Sequence, residues 1–207
     1  MTRPPARRIT AGTLLALGCL TAAALPAATA QGAERLPHDT GKGLGRGCVV
    51  VWFDLGETLV HTAEDGSIRY MPGAATHLRA LRARHIPVGL ITNVPSSWGN
   101  TDAERAAELK KVVDKDWKDS RPFAWSDFGD RILTPRTEAE RKPAAALWER
   151  ARDTSRGCRL VYQAETNDEI RASSSLGFVS YLVGRPYWPA FMPVPLIAAL
   201  GHLPRRL

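Results

Sequence analysis

The sequence predicts an α/β domain in which helices wrap a parallel sheet, a Rossmann-like three-layer sandwich. Three observations predict it. Short continuous apolar runs, the pattern of strands buried on both faces, recur along the chain. Longer segments with apolar residues at helical spacing stand between them. The 207 residues, 44% hydrophobic and 24% charged, suit one such domain and exclude disorder, coiled coil and collagen. Five His and three Cys are too few and too scattered for a zinc ribbon or a disulfide-dense mini-protein.

The elements follow in order. Val49 to Phe53 is the first buried strand. Pro72 to Arg84 reads as a helix, with Leu78 and Leu81 on one face, and Ile86 to Ile91 as the second strand. Thr101 and Glu104 have the spacing of a capping box, opening a helix that lines Ala106, Leu109 and Val113 along one side. Arg131 to Leu133 is a short third strand, and Pro143 suits the first turn of a helix running to about Arg152. Arg159 to Tyr162 forms the fourth strand, Asn167 to Leu176 a helix stopped by Gly177, and Val179 to Val183 the fifth strand. Strands alternating with helices make a five-stranded parallel sheet, whose chemistry collects at the carboxyl ends of the strands.

The flanks have their own character. Residues 1–30 carry Arg3, Arg7 and Arg8, then an apolar run from Ile9 to Leu25, then Ala28-Thr29-Ala30; this is the make-up of a secretory signal peptide. Its removal leaves 25 basic against 21 acidic residues, a net +4 in place of +7. No basic stripe remains, so nucleic acid is not expected as a partner. A secreted or periplasmic protein with no stable membrane span after cleavage is expected. Residues 31–46 read as a flexible leader, 47–184 as the catalytic domain, and 185–207 as a Pro- and aromatic-rich tail docked on that domain.

The strand ends carry four motifs. They are Phe53-Asp54-Leu55-Gly56-Glu57-Thr58-Leu59, Ile91-Thr92-Asn93, Arg141-Lys142-Pro143 and Gln163-Ala164-Glu165-Thr166-Asn167-Asp168. In this order, over roughly residues 48–184, they resemble the haloacid dehalogenase (HAD) superfamily. The resemblance implies a strand order of 3-2-1-4-5 and hydrolysis through a covalent intermediate on Asp54, an aspartyl-phosphate in the phosphatases. It gives Thr92 a hydrogen bond to a phosphoryl oxygen and Lys142 the neutralisation of charge on nucleophile and substrate. Thr58 and Asn93 become substrate-binding or loop-supporting residues. Asp54, the Gly56 carbonyl, Glu165 and Asp168 become the oxygen shell of a Mg²⁺ ion. A small-molecule or terminal phosphate is the implied substrate; the oligomeric state is left open.

Two departures qualify that resemblance. The residue two after the nucleophile is usually a second Asp, which protonates the leaving group and then activates water. Here it is Gly56, with Glu57 and His61 as the nearby substitutes. The usual Gly-Asp pair of the fourth motif aligns with Tyr162-Gln163, and Gln163 is a poor replacement for a metal-binding carboxylate. A metal-independent, dehalogenase-like hydrolase and a HAD-fold binding protein without turnover are therefore the alternatives to a phosphatase. Only 37 residues separate Asp54 from Thr92, which leaves no room there for a large cap domain. Trp98, Trp117 and Trp125 could stack on a substrate, but packing is the expectation. The implied strand order also sets Cys48 and Cys158 side by side in neighbouring strands, where an oxidising compartment favours a disulfide.

Overall fold

A computed structural model describes residues 47–155 and 157–203. The expected export signal (1–30) and leader (31–46) lie outside the described residues. Strand β1, Val49–Phe53, is the centre of a parallel five-stranded sheet. On one side it pairs with β4, Val88–Ile91, which pairs with β5, Ile132–Leu133. On the other it pairs with β6, Arg159–Ala164, which pairs with β7, Val179–Leu182. Counted along the chain, this is the 3-2-1-4-5 order that the resemblance implies. A separate antiparallel hairpin, β2 at Val60–Thr62 and β3 at Ile68–Tyr70, follows β1. This hairpin and one helix are the only elements between β1 and β4, so no large cap intervenes.

Strand alternation divides the core into two faces. Val49, Val51, Phe53 and Leu55 belong to one apolar cluster, which they share with three helices. These are α1 (Ala74–Arg82, through Leu78 and Leu81), α2 (Asp102–Lys115, through Leu109 and Val113) and α5 (Val194–His202, through Val194 and Ile197). Val50 and Trp52 face the other cluster, with Leu147, Trp148 and Ala151 of α3 (Ala146–Thr154) and Ile170 of α4 (Asn167–Ser175). Helices therefore cover both faces, giving three layers.

Several boundaries differ from the sequence reading for local reasons. The second sheet strand starts at Val88 because Pro87 has no amide to give a ladder. The helix expected at Pro143 begins at Ala146. The fourth sheet strand runs two residues beyond Tyr162, to Ala164. The tail contains the helix α5, whose proline lies within the first turn, where a missing amide costs nothing. Phe191 and Met192 ahead of it are buried, so this part of the tail is core.

Cys48 and Cys158 form a disulfide with a Cα–Cα separation of 4.6 Å, just ahead of β1 and β6. The Arg159 amide donates to the Cys48 carbonyl beside it. Trp117 and Trp125 pack with Tyr70 and Phe123, and Trp98 lies against the larger core cluster. No helix among the described residues is long and apolar enough to cross a membrane.

Candidate active site

Asp54 leaves the end of β1, its amide donating to the Gln163 carbonyl at 3.0 Å. It follows Val50 and Trp52 in the alternation, so its carboxylate belongs to the side of the sheet covered by α3 and α4. There it meets Lys142, whose side chain is 2% exposed. The Lys142 ammonium donates to Asp54 Oδ1, to Glu169 Oε2 at 2.9 Å and to the Tyr162 hydroxyl at 3.3 Å. The Tyr162 hydroxyl donates in turn to Glu169 Oε2 at 2.6 Å. A buried network of two carboxylates, one ammonium and one phenol thus sits at the carboxyl edge of the central strands.

The neighbouring loops hold this network in place. Asn93 grips the Lys142 backbone with both ends of its amide: Nδ2 donates to the Lys142 carbonyl at 3.2 Å, and Oδ1 accepts the Lys142 amide at 2.9 Å. Asn93 thus positions the Lys142 backbone. Thr58, fully buried, donates to Glu165 Oε2 at 2.6 Å, with Asp54 Oδ2 at 3.5 Å from the same oxygen. A hydroxyl has one proton to give, so Glu165 holds it and Thr58 orients that carboxylate beside Asp54. Thr92 stands past the end of β4 at the same edge, its amide tied to the Leu133 carbonyl.

Two residues of the fourth motif lie away from the network, Gln163 and Asp168. Gln163 does not stand at the site. As an odd-numbered residue of β6 it shares the face of Val161, turned toward α1 and the tail, where it is completely buried. Its Oε1 accepts the Met192 amide at 2.8 Å, and its Nε2 meets His77 Nε2 at 3.2 Å. Because β6 continues to Ala164, the carboxylate that emerges at the sheet edge is Glu165. Asp168 is not brought to the site either: its side chain is 70% exposed and paired with Arg171. Its successor Glu169 lies about 100° further round the helix, and that rotation carries it onto Lys142. Glu169 and Tyr162 were not foreseen. The available signals were the four-residue spacing from Glu165 and the placement of Tyr162 on the Asp54 side of the alternation.

The electrostatics follow from burial. Burial pushes the Asp54 carboxyl above its ordinary 3.8; the Lys142 charge and hydrogen bond oppose this, and the nearby Glu165 charge adds to it. Burial, with the charges of Asp54 and Glu169, raises the Tyr162 hydroxyl well above 10, which keeps it a proton donor. Glu57 has its carboxylate on His61 Nδ1 at 2.8 Å and on the Thr62 amide at 3.2 Å. Slight burial opposes these hydrogen bonds, which prevail and hold it below its ordinary value.

Asp54 and Glu165 repel one another across the Thr58 hydroxyl, a donor set that suits a hard cation. Mg²⁺ needs only one or two carboxylates, with water and substrate phosphate completing its shell. The pair fits such an ion, without Asp168. No group of three or more His, Cys, Asp or Glu converges on a metal position among the described residues.

No protein-family model matches the chain, and no curated protein matches it in sequence. Among solved structures, a candidate HAD-like phosphatase from Mesorhizobium loti is 15% identical, with a TM-score of 0.48 over 78% of this chain and 88% of that one. An L-2-haloacid dehalogenase is 13% identical, with a TM-score of 0.47 over 70% of this chain and 90% of that one. A HAD family enzyme from Bacteroides thetaiotaomicron, an aspartate-to-alanine variant in complex with magnesium and inorganic phosphate, is 14% identical. Its TM-score is 0.44, over 68% of this chain and 97% of that one. Such likeness assigns no residue a role. The strand order is that of a Rossmann-like α/β domain, and the Asp at the end of the central strand and the buried Lys that meets it stand where the resemblance to the haloacid dehalogenase superfamily implies.

Proposed function

We propose that the chain is an exported HAD-type hydrolase that cleaves phosphate monoesters through an aspartyl-phosphate on Asp54. The observation that carries this reading is the buried Asp54–Lys142–Glu169 arrangement at the carboxyl edge of the sheet. Lys142 occupies Asp54 Oδ1 and leaves Oδ2 as the attacking oxygen. Oδ2 bonds to phosphorus as the bond to the leaving oxygen breaks, and that oxygen departs with the electron pair. Water then attacks the aspartyl-phosphate, releasing inorganic phosphate and restoring the carboxylate. The Thr92 hydroxyl donates to a phosphoryl oxygen, and Lys142 offsets the charge that gathers on nucleophile and phosphate. A Mg²⁺ ion would be held by Asp54 and Glu165 and would supply further neutralisation of the phosphate. The disulfide is consistent with an oxidising compartment, secreted or periplasmic, reached after loss of residues 1–30.

The test is hydrolysis of para-nitrophenyl phosphate by the purified protein, with Mg²⁺ or with chelator, beside Asp54→Asn. Turnover that needs Mg²⁺ and disappears in the variant is expected. Equal turnover by the variant would refute the role of Asp54. Gly56 favours one second reading, a metal-independent hydrolase of the dehalogenase kind, because no acid stands two residues after the nucleophile. Release of halide from a 2-haloacid that survives chelation would establish it.

A further inference from the structure

The structure shows why Gly56 matters beyond its being unusual. Leu55 points into the core with Phe53, so residues 54 and 56 continue the opposite side of the alternation. Gly56 bridges to Val60 in extended pairing. Its φ is not among the positive ones, and a Cβ built on it would meet nothing within 4 Å. Neither backbone conformation nor crowding requires glycine there. The position that could carry a proton donor beside the nucleophile is open and empty of function.

The ammonium, the phenol and the carboxylates nearest Asp54 are engaged with one another and with the hairpin. Lys142 is shared among Asp54, Glu169 and Tyr162, and Tyr162 gives its proton to Glu169. Glu165 accepts from Thr58. Glu57, next in sequence, is held ionised by His61 and the Thr62 amide on the hairpin.

We infer that this site acts on phosphoryl compounds whose leaving group departs as a stable anion, without protonation. Acyl phosphates, phosphoanhydrides and phosphate esters of acidic phenols form that class. The inference rests on the aspartyl-phosphate reading. In the first step the bond from phosphorus to the leaving oxygen breaks, and the oxygen keeps the pair as a carboxylate, phosphate or phenolate. An alkoxide cannot leave this way at neutral pH, so alkyl phosphates are poor substrates. In the second step, water attacks phosphorus without a base at position 56, and its proton passes to the departing phosphate or to solvent. The aspartyl-phosphate therefore outlives its formation and accumulates.

The experiment measures kcat/KM and the pre-steady-state burst for acetyl phosphate, para-nitrophenyl phosphate, phenyl phosphate and glycerol phosphate, with Mg²⁺ present. The full chain is compared with Gly56→Asp, His61→Gln and Asp54→Asn. A positioned general acid contributes about 10²–10⁴-fold. The native protein should therefore favour the first two substrates over glycerol phosphate by at least about 10²-fold in kcat/KM, beyond their intrinsic reactivity in water. It should show a burst close to one equivalent of leaving group per protein. Gly56→Asp should raise glycerol phosphate turnover by about 10²-fold or more, change acetyl phosphate by only a few fold, and abolish the burst. His61→Gln should leave the dependence on leaving group unchanged.

Native turnover of glycerol phosphate on a par with para-nitrophenyl phosphate would overturn the inference while leaving Asp54 as nucleophile. A native dependence that steepens in His61→Gln would also overturn it, by identifying the missing acid. Absence of native turnover on every substrate overturns it as well. Turnover by Gly56→Asp in that case keeps the aspartyl-phosphate reading, and turnover undiminished in Asp54→Asn removes both.

Discussion

His77 should make the folded protein sensitive to mild acid. Its ring lies on the inner face of α1, stacked on Phe191 at 4.8 Å and edge-on to Phe53 at 5.8 Å. Gln163 presents its amide nitrogen, because its oxygen is taken by the Met192 amide. His77 Nε2 is therefore an acceptor, and the neutral ring carries its proton on Nδ1. Protonating Nε2 would set two donors against each other in an apolar pocket, and burial accordingly lowers the pKa from 6.5 to about 4. The unfolded chain takes up its proton near the ordinary value, whereas the folded one resists until about 4. Stability from the neutral ring is complete above the unfolded pKa and is lost as the pH falls toward the folded one, at about 1.4 kcal/mol per pH unit. Over the whole window the loss is about 3 kcal/mol. Urea unfolding from about pH 7 to about pH 4, for the native protein and His77→Gln, isolates this contribution, since other titrations are common to both. The native profile should fall more steeply by that amount. Parallel profiles would show that the ring titrates normally and that the Gln163–Met192 connection does not constrain it.

Two further perturbations test the packing around the site. In Gly89→Ala the new methyl would meet the Trp52 ring at 2.4 Å, and Trp52 is fully buried between sheet and α3. Overpacking of this kind should cost about 1–3 kcal/mol in chemical denaturation, and an unchanged midpoint would show that the Trp52 ring shifts freely to admit the methyl. Asp102 lies at the start of α2, where it accepts from Arg105 at 2.9 Å and pairs with Arg150; Arg105 is 1% exposed. Asp102→Ala leaves the Arg105 guanidinium with only Thr134 and the Gly99 carbonyl, and should lower stability by about 3 kcal/mol. A loss below about 0.5 kcal/mol would mean that solvent replaces the carboxylate and that the pair behaves as a surface one.

Much of this fold was legible because its strands are buried on both faces. Val49–Phe53 and Val88–Ile91 are apolar at every position, and the capping box of Thr101 and Glu104 is present as read from sequence. The hairpin was not legible. Its strands are three residues each, below the length at which alternation distinguishes a strand from a turn. Helix α5 was obscured by three prolines around a short apolar stretch, although a proline in the first turn is compatible with a helix. At the site, Asp54 and Lys142 were readable from their motifs. Gln163 reads as the fourth-motif position only if the strand ends at Tyr162, whereas it runs to Ala164. Ala164 and Glu165 contain no strand terminator, and a shift of two residues leaves the apolar alternation unchanged while moving the carboxylate that meets Asp54. Glu169 depended on a contact with Lys142, 27 residues away in sequence, which periodicity does not encode.

The charge balance of the network bears directly on its chemistry. Asp54, Glu165 and Glu169 place three carboxylates at the edge that holds the Lys142 ammonium. Lys142 is already shared between two of them, so alone it offsets only part of the charge of an incoming phosphate dianion in a partly desolvated site. A divalent cation on Asp54 and Glu165 would turn their repulsion into a binding site for that dianion and free Lys142 to act on the oxygens of the transition state. A haloacid brings one negative charge and places much less demand on the same residues. This acidity favours the phosphate reading in the presence of Mg²⁺. Removing one carboxylate ligand with Glu165→Gln should raise the Mg²⁺ needed for half-maximal activity and leave Lys142 against Asp54. If the variant requires as much Mg²⁺ as the native protein for half-maximal activity, Glu165 contributes nothing to cation binding and this balance is wrong.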